Sequence, residues 1–118
     1  MKLITTLVVA AVALVTAATA APMSSVPKLT GTVGPGFTIS LKKNGKAVKT
    51  LKAGKYTFVV TDKASIHNFV VEGPGFERAI TSVPFKGTKT MTITLKKGKW
   101  EFYCKPHESG MHGDFRVT

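Results

Sequence analysis

The chain has 118 residues, a formal net charge of +11 and a single cysteine. That length sits near the lower end of the domain range and allows one small domain, and one cysteine excludes an internal disulfide. The basic balance first suggests nucleic acid or an anionic membrane, but the lysines are dispersed at turn-like places with no basic helix face and no aromatic-basic interleaving, so nucleic acid is discounted.

The chain opens MKLITTLVVAAVALVTAATA. Lys2 supplies a short positive start. Leu3 to Val15 are apolar apart from Thr5 and Thr6, and Ala18-Thr19-Ala20 is a small-x-small cleavage site. That layout is a secretory signal peptide over residues 1–20. The rival is a membrane anchor, which needs roughly 20 predominantly apolar residues; this run is shorter and ends in residues suited to cleavage. Cleavage leaves 98 residues with no second long apolar run. The mature protein is therefore expected to be soluble, without stable membrane insertion, and exported to a periplasm, the cell envelope or the extracellular space. In such a compartment a lone thiol oxidises or cross-links unless it is buried or bound.

Ala21 to Lys28 is a small, proline-containing lead before a domain over residues 29–118. From there the pattern is β. FTISLKK alternates through Phe37, Ile39 and Leu41, and Asn44-Gly45 is a strong hairpin signal. AVKTL follows, KAGK turns the chain, and Tyr56 to Asp62 is rich in β-branched and aromatic residues. His67 to Gly73 is the next strand. Gly73 to Gly87 reads as the longest connection without a strand. TKTMTITL alternates threonine with Met91, Ile93 and Leu95. After KKGK, Trp100, Phe102 and Cys104 share one face, and Gly113 to Thr118 closes the chain. Short strands between glycine-rich turns make an all-β sandwich or barrel.

The chemistry gathers near the end. Cys104 lies on the Trp100–Phe102 face and is expected to point into the core. His107 lies three residues on, Met111 four beyond that, and His67 comes from a separate strand. Singly, each has a plainer reading: a strand-start polar residue, a buried apolar filler, core packing. Together a thiolate, two imidazoles and a thioether make a donor set suited to copper, with three strong ligands and a weak, long axial one. Zinc is the rival metal, and Cys104, His67, His107 and His112 form a four-donor set on paper. Met111 and His112 are adjacent, however, and adjacent residues on an extended segment point opposite ways. Thiol protease chemistry would need Cys104 activated by a histidine and oriented by a third group, and beyond a nearby loop histidine nothing supports it.

FYCKPHESGMHGDFRVT resembles the C-terminal ligand loop of cupredoxins of the plastocyanin, pseudoazurin and amicyanin group, and SIHNFVVEGPG resembles the segment carrying their first histidine. The resemblance implies a Greek-key β-sandwich holding one copper ion. It implies His67, Cys104 and His107 as equatorial ligands, Met111 as the axial one, and Asn68 as a hydrogen-bonding brace between the ligand loops. The loop departs from the plastocyanin pattern by placing three rather than four residues between His107 and Met111, and it carries Lys105 where many relatives have a small hydroxyl residue. His112 is expected to face solvent.

The function this implies is single-electron transfer between redox partners, not catalysis. His107 is the expected electron edge, set among Pro106, Gly110 and Met111, with Pro35 or Pro74 beside it where the loops cluster. The lysines would steer an acidic redox partner through on-rate more than affinity, and the protein is expected to be a monomer. An oxidase needs a further copper centre, for which only His112 remains, and a binuclear copper site needs two cysteines. The alternatives are a module that buffers or delivers copper without carrying electrons, and a metal-free adhesion domain of immunoglobulin type.

Overall fold

The computed structural model describes residues 2–3, 9–14 and 25–118. Ala18-Thr19-Ala20, where cleavage is expected, and residues 21–24 of the lead lie outside the described residues. Among the described residues no helix is long and apolar enough to cross a membrane.

Among the described residues ten strands follow one another: β1 (Lys28–Val33), β2 (Ile39–Lys43), β3 (Lys46–Ala47), β4 (Thr50–Leu51), β5 (Gly54–Asp62), β6 (Phe69–Gly73), β7 (Phe76–Thr81), β8 (Gly87–Leu95), β9 (Gly98–Tyr103) and β10 (His112–Val117). They form two five-stranded sheets, ordered β3-β2-β1-β5-β8 and β4-β10-β9-β6-β7. The period-2 alternation explains the layers. Tyr56, Phe58 and Val60 of β5 face inward, as do Trp100 and Phe102 of β9 and Phe115 and Val117 of β10. The aromatic rings form a chain through the core: Phe69 stacks on Phe102, and Trp100 on Phe115. Each large apolar side chain taken out of water here contributes roughly 1.5–3 kcal/mol. Asn44 and Gly45 both take positive φ, as the hairpin between β2 and β3 requires.

Three local expectations need correction. Gly73 to Gly87 is not strand-free: the chain turns at Pro74-Gly75 and β7 pairs with β6. Because β7 is a sheet edge, it leaves Glu77, Arg78 and Ala79 exposed and shows no clean apolar alternation. AVKTL is not one strand. β3 pairs with β2 in one sheet, and β4 pairs in parallel with β10 in the other; between them Val48 N–H donates to Leu41 O, and Lys49 O accepts from Arg116 N–H. Finally, Phe37 precedes β2 and is 65% exposed rather than part of an inward face.

β1 is a strand that alternation did not single out. It pairs in parallel with β5 and antiparallel with β2, at the centre of its sheet. Gly31 interrupts its apolar face for a packing reason: a Cβ there would lie 2.9 Å from the Phe69 ring. β1 and β5 run side by side, and Lys63 N–H donates to Val33 O just past their ends. That pairing brings the β1–β2 and β5–β6 loops to the same end of the sandwich. The β9–β10 loop joins them there, through the contacts described next.

Candidate metal centre

His67 sits at the end of the β5–β6 loop and is fully buried. Cys104 is the residue after β9, also fully buried, on the inward face that Trp100 and Phe102 define. A 3-10 turn over Lys105–His107 follows, with Pro106 in its first positions, where a fixed φ and a missing N–H do no harm. The loop then closes on itself. His107 N–H donates to Cys104 O at 3.1 Å, Met111 N–H to His107 O at 2.9 Å, and Cys104 N–H to Met111 O at 3.0 Å. This ring of backbone bonds is why the short Cys-x-Pro-His spacing turns His107 back toward the thiol.

Three donor atoms converge. Cys104 Sγ lies 3.7 Å from Nδ1 of His67 and 3.7 Å from Nδ1 of His107, and the two Nδ1 atoms are 3.2 Å apart. The centre of that triangle lies about 2 Å from each corner, the length of a metal–imidazole bond. Among the described residues His67 Nε2 is buried without a hydrogen-bond partner, so the polar contacts of that ring there are made through Nδ1. Electron-rich donors turned toward one buried point are unfavourable unless a cation sits among them. A thiol and two imidazoles are the set a borderline or soft transition ion takes, so the residues fit copper.

The fourth expected residue, Met111, is 1% exposed, and its backbone is tied to Cys104. His112 is not drawn into the triangle. It is exposed on the outer face, grouped with Glu101 and Asp114. Asn68, expected as a brace, is buried and accepts a hydrogen bond from Lys105 N–H at 2.8 Å. The partner is backbone, so the side chain at position 105 is not what the brace depends on. Pro35 is on the β1–β2 loop at this end. Pro74 is not: it packs against Gly98, at the other end of β9 from Cys104.

Phe37 was missed as a site residue. Its ring stands edge-on to both imidazoles, with centroids 5.4 Å from His67 and 5.0 Å from His107. Gly34-Pro35-Gly36 stops the strand pattern short of Phe37 and frees it to leave the sheet, but that signal does not say where the ring goes. Gly34 has φ +73 and lies against the His67 ring, where a Cβ would sit 3.1 Å from Cδ2. Ile66 is exposed beside His67 in sequence. Away from the triangle, Glu101 is pushed up to about 7, first by burial, then by the neighbouring Glu108 and Asp114 carboxylates, with His112 acting the other way. Tyr103 is held well above its usual range by burial and by its hydrogen bond to Glu77.

No curated protein sequence matches the chain. Among solved structures, reduced rusticyanin superposes with a TM-score of 0.50 at 23% identity, over 77% of this chain and 78% of its own. Auracyanin A, described as a blue copper protein from Chloroflexus aurantiacus, gives 0.54 at 16% identity, over 80% of this chain and 100% of its own. A reduced amicyanin variant gives 0.51 at 12% identity, over 80% and 86%. These likenesses establish a cupredoxin-like sandwich. Residues 40–118 match the family model described as copper binding proteins, plastocyanin/azurin family. The chain belongs to that family, and copper is its cofactor.

Proposed function

We propose that the chain is an exported, monomeric carrier of single electrons that holds one copper ion through His67, Cys104, His107 and Met111. One observation carries the reading: the triangle's thiol and one imidazole are fully buried, while His107 is partly exposed. Bound copper supplies a one-electron couple between Cu(I) and Cu(II). The residues supply the rest. The closed β9–β10 loop and the Asn68 brace hold the donors in one arrangement, which keeps reorganisation small. All four donors are side chains, and His67, Cys104 and Met111 are buried, an arrangement that leaves a substrate no open position and favours a carrier over an enzyme. Phe37 and Ile66 give this end an exposed apolar surface. Lys63 and Lys105, both exposed, lie on the loops of His67 and Cys104 and would draw in an acidic redox partner, chiefly through on-rate.

The experiment adds Cu(II) to the purified mature protein and records visible and EPR spectra, then mixes the loaded protein with a reduced carrier in stopped flow. An intense thiolate-to-copper band that disappears in Cys104→Ser, with rapid and salt-sensitive reduction, is the expected result. A band that survives Cys104→Ser refutes the ligand set. Slow reduction by every carrier, independent of salt, makes the protein a copper buffer instead.

A further inference from the structure

The outer face of the second sheet carries a group of side chains that the Cys104 site does not use. β9 and β10 pair so that Glu101 stands directly opposite Asp114 and Tyr103 opposite His112. Residues two apart on a strand share a face, so His112 and Asp114 project together, opposite to the buried Phe115. The ligating atoms of Glu101, His112 and Asp114 all lie within 4.8 Å of one another. Glu72 of β6 faces Glu101 from the other side, and Glu108 is its neighbour.

As it stands, this grouping is unfavourable. Like charges directly opposite across strands destabilise a sheet. Glu101 is half-buried and its carboxyl hydrogen-bonds the Glu108 side chain, yet its Oε1 is buried and has no hydrogen-bond partner among the described residues, a state that buried polar atoms rarely occupy. Four of the six acidic residues, Glu72, Glu101, Glu108 and Asp114, collect here although the chain has 17 lysines and arginines to disperse among them. A cation answers both problems: it partners the buried oxygen and neutralises the opposed carboxylates.

We propose that Glu101, His112 and Asp114 form a second metal site, distinct from the Cys104 site, that takes a divalent first-row transition cation. The donor chemistry selects the class. An imidazole with carboxylates suits Zn(II), Ni(II) or Cu(II), and the absence of sulfur disfavours Cu(I). Calcium and magnesium take oxygen ligands, so the imidazole argues against them. The adjacent Met111 and His112 point to opposite sides, buried and exposed respectively, so the two sites share a stretch of backbone and no side chain.

Zinc titrated by calorimetry into protein loaded with a single equivalent of copper tests the proposal, because the thiolate site takes that one ion and the outer-face site is left free for zinc. One further equivalent of zinc should bind. His112→Ala and Asp114→Asn should each weaken it by roughly tenfold or more, with the visible band unchanged, and the His112 ring resonances should shift in step with added zinc. His112 is exposed, so these variants are expected to fold. No zinc binding, or binding equal in parent and variants, overturns the site. So does calcium binding as tightly as zinc and indifferent to His112→Ala. If the protein takes up no copper, the electron-carrier reading fails separately, and the zinc titration is run on Cys104→Ser, whose first site is disabled.

Discussion

The backbone N–H of Lys105 donates to Asn68 Oδ1 over 2.8 Å, and this bond spans the two loops that carry the candidate ligands. His67 immediately precedes Asn68, and Cys104 immediately precedes Lys105. The spacing between the first imidazole and the thiol is therefore set one residue away from each, by a buried side chain on one loop and a main-chain group on the other.

Removing that acceptor should be felt twice. Asn68→Ala leaves the Lys105 N–H without its partner, at a cost of about 1–3 kcal/mol. For a domain of this size each kcal/mol lowers Tm by roughly 4–8 °C. The copper-loaded variant should also show a shifted or broadened thiolate band, because His67 and Cys104 are no longer held in register. Asn68→Asp keeps an acceptor and should recover the band. Thermal melts and visible spectra of the two variants decide it; a band unaltered in Asn68→Ala would show that the bond is not what positions the donors.

The contrast between Asn68 and Phe37 shows what the sequence made legible. Strands with an unbroken period of two, such as β5 and β9, could be read directly, and Asn44-Gly45 marked its hairpin. Cys104 could be placed inside because Trp100 and Phe102 share its face. β7 was hidden because an edge strand need bury little, and β1 because Gly31 gives up its side chain to the Phe69 ring. Both reasons are tertiary. Phe37 belongs with them: nothing local says that a residue after Gly34-Pro35-Gly36 will reach across to two histidines from other loops.

Phe37→Ala separates docking from folding. The side chain is 65% exposed, so the domain should lose little stability. Its ring edge nevertheless lies against both imidazoles, where a partner would approach His107. The second-order rate of reduction by a carrier protein should fall by about tenfold, equivalent to about 1.4 kcal/mol. Reduction by a small reagent such as ascorbate should change much less. Equal slowing by both reagents would mean that Phe37 shapes the site itself rather than the contact surface.

Glu101 gives a pH test with a definite sign. Its folded-state value is raised from 4.5 to about 7, by burial first and then by Glu108 and Asp114. A carboxyl raised in the folded state binds more protons there than when unfolded, so the stability it contributes is present below 4.5 and is lost as pH rises through about 7. Glutamine mimics the protonated form at every pH. With divalent cations chelated, Glu101→Gln should be more stable than the parent at pH ~8 by about 1 kcal/mol after solvent screening, and close to the parent at pH ~5. Urea unfolding at the two pH values measures the difference. A gain of the same size at both would assign it to packing.

The axial position offers the sharpest discrimination, because its two candidates are neighbours. Met111 is 1% exposed and its carbonyl accepts the Cys104 N–H, whereas His112 is exposed and grouped with Glu101 and Asp114. Leucine conserves the volume of methionine, so Met111→Leu should cost less than about 1.5 kcal/mol in packing while removing the sulfur. Cu(II) depends on an additional donor more than Cu(I) does, so losing even a weak axial ligand favours the reduced form. The reduction potential of Met111→Leu should rise, with a tenfold shift in the redox equilibrium corresponding to about 59 mV for one electron, and its EPR spectrum should change. His112→Ala should leave both as they are in the parent. If the potential instead follows His112 and ignores Met111, the axial ligand is the imidazole, the outer-face metal site loses its nitrogen donor, and the loop must turn over between these two residues when copper binds.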